Sequence, residues 1–491
     1  MAGRGCRAGR AARRRRRKRD GSIQPESLSH QLRYVRLMKF LHQRGFTSTP
    51  LQPALFSDFA APSLRLSPDQ AVFFQPGGML VSLPESCLLT TSTVLLSYLG
   101  PFLKRWKPPP SSLVALCVFL VCERHRGEAS DWFPYIDVLP QSYSCPPYFT
   151  DSVMAVLPSG VRRRAEEQRE MVRHLHASHQ DFFRSLQPVL TRPAEEVLTY
   201  EALRYTHKQP PHSHTLSPQR THSRIWPPMP HRWAWCSINT RSVFMTPPSS
   251  SFLSGPDNYA LAPFLDLLNH RPDVQVKAGF NRATGCYEVR SLSGVQRHQQ
   301  AFINYGSHDN QRLLLEYGFV SSCNPHSVVY VEEDLLCEAF RGGQSLDEKV
   351  LFLRENHFLD NLTVSDEGPG WRLLAALRLL SLPPLPCRHW RTVLLGQTAG
   401  EEEERSVLTA QTLCERLLKE TRRSLQEVRP DQQDAVSATL CHLDLCVQIS
   451  RLLQNCEQPI REQLEVVMSL RREERSILEN CLEALQSTVE I

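Results

Sequence analysis

The sequence predicts an α+β protein: a β-rich region of short strands carrying a helical insertion, followed by an all-α C-terminal lobe. Three observations lead there. Strand-like runs cluster in one region, where "DVQVKAGF" and "CYEVRSL" are joined by an Asn-Arg-Ala-Thr-Gly turn. Between residues 93 and 203 apolar residues recur at three- and four-residue spacing, the helical signature. Past residue 330 strand patterns thin out and amphipathic helices follow one another. A chain of 491 residues is also too long for one ordinary core, so at least two domains are expected.

Taken in order, the chain opens on a basic arm, residues 1–27. Residues 1–20 hold ten Arg and Lys against one Asp, a local charge of +9 within a whole-chain charge of +6, so the remainder is net −3. Such a block cannot collapse and reads as a disordered arm suited to nuclear import or phosphate contact, or as a solvated tail. A first helix is expected over 28–46, ending at Gly45. Residues 50–78 are punctuated by Pro and carry no clear pattern, and "GGMLVSLPESCLL" then reads as a short strand ended by Pro84. Three helical runs fill the insertion, the last spanning 160–190. His174, His176 and His179 on it have no carboxylate or thiol placed with them and read as a solvated face. Residues 205–231 are rich in Pro and His without periodicity, which marks a low-complexity insert.

"WAWCSINTRSVFM" (233–245) fits helix or strand equally. In "APFLDLLNHRPD" (262–273) an apolar helical turn runs into Asn269-His270 and then Pro272, the pattern of a helix end. "QQAFINYG" reads as a short strand, and "DNQRLLLEYGFV" as a helix capped by Asp309 or Asn310 and closed by Gly318. Five helices follow, with Leu and Cys stripes that suit a core.

Composition narrows the class. Hydrophobic residues at 41% with 22% charged belong to a soluble globular chain, and its longest apolar run falls well short of the roughly 20 residues a membrane helix needs. The basic N-terminus has no apolar core of a secretory signal, so an intracellular protein is expected. The fifteen cysteines are scattered, with no C-x-x-C pair, as reduced and mostly buried thiols would be. Phosphate-binding, serine-hydrolase, zinc-protease and dinucleotide fingerprints are all missing. What remains is a polar set along the β-rich region: Arg241, Asp266, Asn269, His270, Tyr305 and Tyr317.

The order of these segments resembles the C-terminal half of a SET domain, in the class typified by the Rubisco large-subunit lysine methyltransferase. The resemblance rests on "WAWCSINTRSV", "LDLLNH" and "FINYGSHDNQRLLLEYGF", within residues 233–325, and weakly on 79–122 and the helical lobe. It implies a SET domain over 28–325 and a substrate-binding-like domain over 330–491. It further implies S-adenosyl-L-methionine as cofactor and protein-lysine N-methylation by in-line transfer. By the same resemblance Arg241, Asn269 and His270 contact the cofactor, Tyr305 is the catalytic tyrosine beside it, and Asp266 and Tyr317 belong to the substrate side. Metal is not required. One departure stands out: the class places a Gly-x-Gly turn before its first strands, and residues 50–78 contain none. That departure favours one alternative, a catalytically weak binding module; the other is a protein-histidine methyltransferase, an acceptor that the resemblance also implies for some members of the class. The expected partner is a protein substrate, histones included. The folded body is expected to bind neither nucleic acid nor membrane, and the protein is expected to be a monomer of nucleus and cytoplasm.

Overall fold

The computed structural model describes residues 25–56, 63–66, 73–200, 231–248, 250–296, 299–343, 345–382, 401–426 and 458–489. Most of the basic arm, the His/Pro-rich tract and the helix expected over 434–456 lie outside them. The chain folds as two compact units, one of residues 1–140 with 179–306 and one of 141–178 with 307–491. No helix among the described residues is long and apolar enough to cross a membrane.

The first unit is built on small sheets around a buried helix, Ser112–Arg126. Twelve of its fifteen residues are buried, so it is apolar on every side rather than along a stripe. Ser111 caps its start by accepting the Val114 amide at 3.2 Å, and Gly127, at φ +54°, ends it. Helix His231–Arg241 packs against it. Helix Leu32–Gln43 buries Tyr34, Leu37, Phe40 and Leu41, an i, i+3, i+6, i+7 stripe, and the chain turns away at Gly45.

The expected hairpin is present: Val276–Asn281 pairs antiparallel with Cys286–Ser291, which also pairs with Met79–Pro84. Its turn works as the residues suggest, since Asn281 Oδ1 accepts the Ala283 amide and Gly285 takes φ +64°. Glu26 and Ser27, expected in the arm, instead pair with Leu55 and Ala54 at the edge of a three-stranded sheet. The segment without a Gly-x-Gly turn supplies the rest of that sheet, Leu51–Leu55 against Ser63–Leu66.

Asn269-His270 does not end a helix. A single 3₁₀ turn, Leu265–Leu267, precedes it, and the pair forms a short parallel strand against Phe302–Ile303. "WAWCSINTRSVFM" is both things its pattern allowed: helix His231–Arg241 runs directly into strand Ser242–Phe244.

The second unit takes in 141–178, which the sequence grouped with the insertion. The reason is packing: Val161 and Ala165 of helix Ser159–Ala177 share a core with Leu314, Leu315, Leu464, Val467 and Leu470. The helix expected over 160–190 stops at Ala177 and resumes as Gln180–Ser185. Helices Trp371–Ser381, Glu401–Gln426 and Gln458–Val489 form most of the remaining core. The lobe is not purely helical, because Val329–Tyr330, Thr363–Ser365 and Gly368–Pro369 make a small antiparallel sheet. Strands this short leave no alternation to read. Gly318 closes the "DNQRLLLEYGFV" turn at φ +79°, and an added Cβ would meet the Ser144 backbone at 2.9 Å, so glycine is required twice over.

Lys349 is 2% exposed in this unit, with Nζ donating to the carbonyls of Leu382 (2.5 Å) and Leu380 (3.4 Å). Burial pulls its ammonium below the ordinary value. The amine satisfies carbonyls that the C-terminus of helix Trp371–Ser381 leaves open. Lys349→Met therefore lowers stability by about 1–3 kcal/mol, read as a fall in melting temperature. An unchanged melting temperature would remove this capping role.

Candidate functional site

The Asn269–His270 strand is the centre of the site, and its register decides what meets what. Pairing Asn269 with Phe302 and His270 with Ile303 carries the chain on to Tyr305 beside the imidazole. The Tyr305 amide donates to His270 Nδ1 at 3.0 Å, and the two rings lie 5.1 Å apart at 38°. An Nδ1 that accepts a hydrogen bond carries no proton, so the neutral ring holds its hydrogen on Nε2. The Tyr305 hydroxyl donates to the carbonyl of Leu268 at 2.7 Å. The tyrosine is thus tied at one end to the strand and at the other to Leu268 just before it. Asn304 completes the turn: Nδ2 donates to the Pro272 carbonyl and Oδ1 accepts the Gly306 amide, with Gly306 at φ +137°.

Arg241 and Asp266 form a second group in the same unit. Arg241 ends its helix, and its Nη1 donates to the main-chain oxygen of Asp266 at 3.0 Å and to Oδ2 at 3.3 Å. Tyr135 adds a hydrogen bond from its hydroxyl to the same Oδ2 at 2.9 Å. Phe264, fully buried at φ +72°, sets up the turn that presents Asp266. Such a conformation costs a non-glycine residue about 1–3 kcal/mol and persists only where the surroundings hold it. Here the ring packs 5.8 Å from Phe46.

Burial pushes the Asp266 carboxyl above the usual range, while Arg241 and then the Tyr135 hydroxyl work against the shift. A raised folded-state value means that the folded protein holds this proton more tightly than the unfolded chain. Its contribution to stability is full below the unfolded value of about 4 and is lost as pH rises through the folded one. Against Asp266→Asn, the wild type should lose melting temperature as pH climbs from acid toward neutral. Parallel pH profiles for the two proteins would contradict this.

Of the six residues expected at the site, five lie in this unit, in two groups joined by the short run 265–270. Tyr317 lies in the other unit, its ring stacked on His308 at 5.9 Å and its phenol raised mainly by burial. Asp266, expected on the substrate side, has a side chain only 1% exposed. Tyr135 was not anticipated from sequence. It stands 131 residues from Asp266, in "DWFPYIDV", where nothing marks it as polar-facing.

The donor set suits a zwitterionic ligand carrying a carboxylate and an ammonium. Asn269 is partly exposed, and its side chain makes no hydrogen bond to the described residues, leaving two donors and two acceptors for a ligand. Arg241 supplies a partly exposed cation. The segment lacking Gly-x-Gly is bonded into the same neighbourhood: Ala301 N–H donates to the Leu64 carbonyl (2.9 Å) and Gln300 Nε2 to Ser63 Oγ (2.7 Å), just before Phe302.

Residues 344–478 match the family model described as Rubisco LSMT substrate-binding. The chain is 42% identical to human "SET domain-containing protein 4" over 87% of its own length and 91% of that protein's. It is 28% identical to the "Actin-histidine N-methyltransferase" of Drosophila melanogaster over 55% of its length and 48% of that protein's. In fold it is similar to the SET domain of LSMT, solved bound to lysine and AdoHcy. The TM-score is 0.57 at 16% identity, covering 94% of this chain and 92% of that one.

Proposed function

Because this chain belongs to the SET domain-containing protein 4 family, a group of SET-domain methyltransferases, we propose that it is a protein-lysine N-methyltransferase using S-adenosylmethionine. The observation that carries the reading is Tyr305, fixed by its amide to His270 Nδ1 and by its hydroxyl to the Leu268 carbonyl, just past the strand pair that bears Asn269. Bound S-adenosylmethionine supplies a methyl group made electrophilic by its sulfonium. Asn269 would bind the polar end of that molecule through its free amide, with Arg241 on the carboxylate. His270 holds the Tyr305 backbone in place, so the phenol is oriented before any ligand arrives. The Tyr305 oxygen, its proton committed to Leu268, keeps lone pairs for weak contacts with a polarised methyl, each individually small. The chemistry asks for alignment more than for acid or base work, and the substrate amine must arrive neutral.

A histidine acceptor is the second reading, favoured by the similarity to an actin-histidine methyltransferase. Incubation with labelled S-adenosylmethionine and cell-extract proteins, followed by hydrolysis and amino-acid analysis, separates them. Label in methyllysine is expected. Label confined to methylhistidine overturns the lysine assignment, and no label at all favours a binding module.

A further inference from the structure

We propose that Asp266 is a positioning residue rather than a substrate contact. Backed by Tyr135, it fixes the guanidinium of Arg241 and thereby sets the affinity of the site for the carboxylate end of S-adenosylmethionine. The proposal rests on the cofactor reading of Arg241 given above.

Burial is the first support. With its side chain 1% exposed, Asp266 has no surface for a peptide or a lysine side chain to touch, whereas Arg241 keeps 17% of its own. Hydrogen-bond geometry is the second. Oδ2 of Asp266 accepts from both Tyr135 and Arg241, and Arg241 Nη1 also reaches the Asp266 main-chain oxygen. A guanidinium is planar and rigid, so a nitrogen held on two acceptors constrains the plane of the whole fork. The immobility of the base is the third. Tyr135 is fully buried in the short helix Phe133–Ile136, which packs against helix Leu32–Gln43. From that second helix Tyr34, 1% exposed, adds another phenol within the field of the Arg241–Asp266 pair.

The chain of action runs one way. Tyr135 holds Oδ2, Oδ2 and the Asp266 main-chain carbonyl hold Nη1, and of these three residues only Arg241 meets the ligand. An ion pair that merely supports the fold would share these contacts but would not couple Tyr135 to ligand affinity through Arg241.

Calorimetric titration of the full chain with S-adenosylmethionine tests this, using wild type, Tyr135→Phe, Arg241→Lys and the double variant. Melting temperatures of the ligand-free proteins are taken alongside. Tyr135→Phe removes one hydroxyl and should raise Kd roughly 5-fold. Arg241→Lys should raise it further, and the double variant should bind no more weakly than Arg241→Lys alone. Wild-type affinity in Tyr135→Phe overturns the proposal, as do losses that multiply in the double variant. Should Tyr135→Phe fail to fold, Asp266→Asn in the same cycle gives the same decision. Absence of binding by the wild type is a separate result, which overturns the methyltransferase reading and this proposal with it.

Discussion

Tyr305→Phe lowers the rate of methyl transfer by about 100-fold, the scale seen when one pre-positioned polar group is removed from a reaction centre. The substitution deletes the hydroxyl that reaches the Leu268 carbonyl at 2.7 Å and keeps the backbone amide on His270 Nδ1. The ring therefore stays anchored at one end and loses its fixed tilt at the other. The stability cost is that of one exchanged hydrogen bond, about 1 kcal/mol. A large kinetic loss with a small thermal one is the expected pair, read by labelled methyl transfer and by thermal unfolding. A rate within twofold of wild type would remove Tyr305 from the chemistry.

His270→Ala combines the two losses. The imidazole is 7% exposed and accepts the Tyr305 amide, so alanine leaves that amide without its partner and opens a void beside the Tyr305 ring. The amide alone costs about 1–3 kcal/mol and the lost packing adds to it. The register of Asn269–His270 with Phe302–Ile303 is then left to the Tyr305 hydroxyl on the Leu268 carbonyl, the Arg271 amide on the Ile303 carbonyl and Asn304 Nδ2 on the Pro272 carbonyl. Methyl transfer should fall below detection and the melting temperature should drop by several degrees. His270→Asn, which keeps a polar side chain but not the ring, should recover part of the stability without the activity. Wild-type activity in either variant contradicts the role given to the ring.

How much of this could be read from sequence depends on the length of the element concerned. The hairpin Val276–Asn281 with Cys286–Ser291 was legible, because alternation runs through six residues on each side and Asn and Gly mark its turn. Asn269-His270 stood out in the sequence as a polar pair but not as a strand, since two residues have no period and the partner strand lies more than thirty residues on. The apolar turn before it, with Pro272 after, imitates a helix end, and only the pairing with Phe302–Ile303 shows otherwise. Arg241 sits where a helix becomes a strand without an intervening loop, which is why its segment fitted both patterns. The burial of Asp266 was out of reach, because it depends on Tyr135, a residue distant in sequence and unremarkable in composition. Helix Ser159–Ala177 was legible as a helix, while its partners Leu464 and Val467, some three hundred residues away, were not.

Under the proposed function the Asn269–His270 strand and Tyr305 would form a corner of the S-adenosylmethionine site in spite of the missing Gly-x-Gly turn. Isothermal titration of the full chain with S-adenosylmethionine, wild type against Asn269→Ala, tests it most directly. The wild type should bind one equivalent, and Asn269→Ala should bind at least about 10-fold more weakly, as loss of hydrogen bonds to charged groups implies. Equal affinity in the two proteins would contradict the account, because the one partly exposed amide assigned to the ligand would then be making no contact with it.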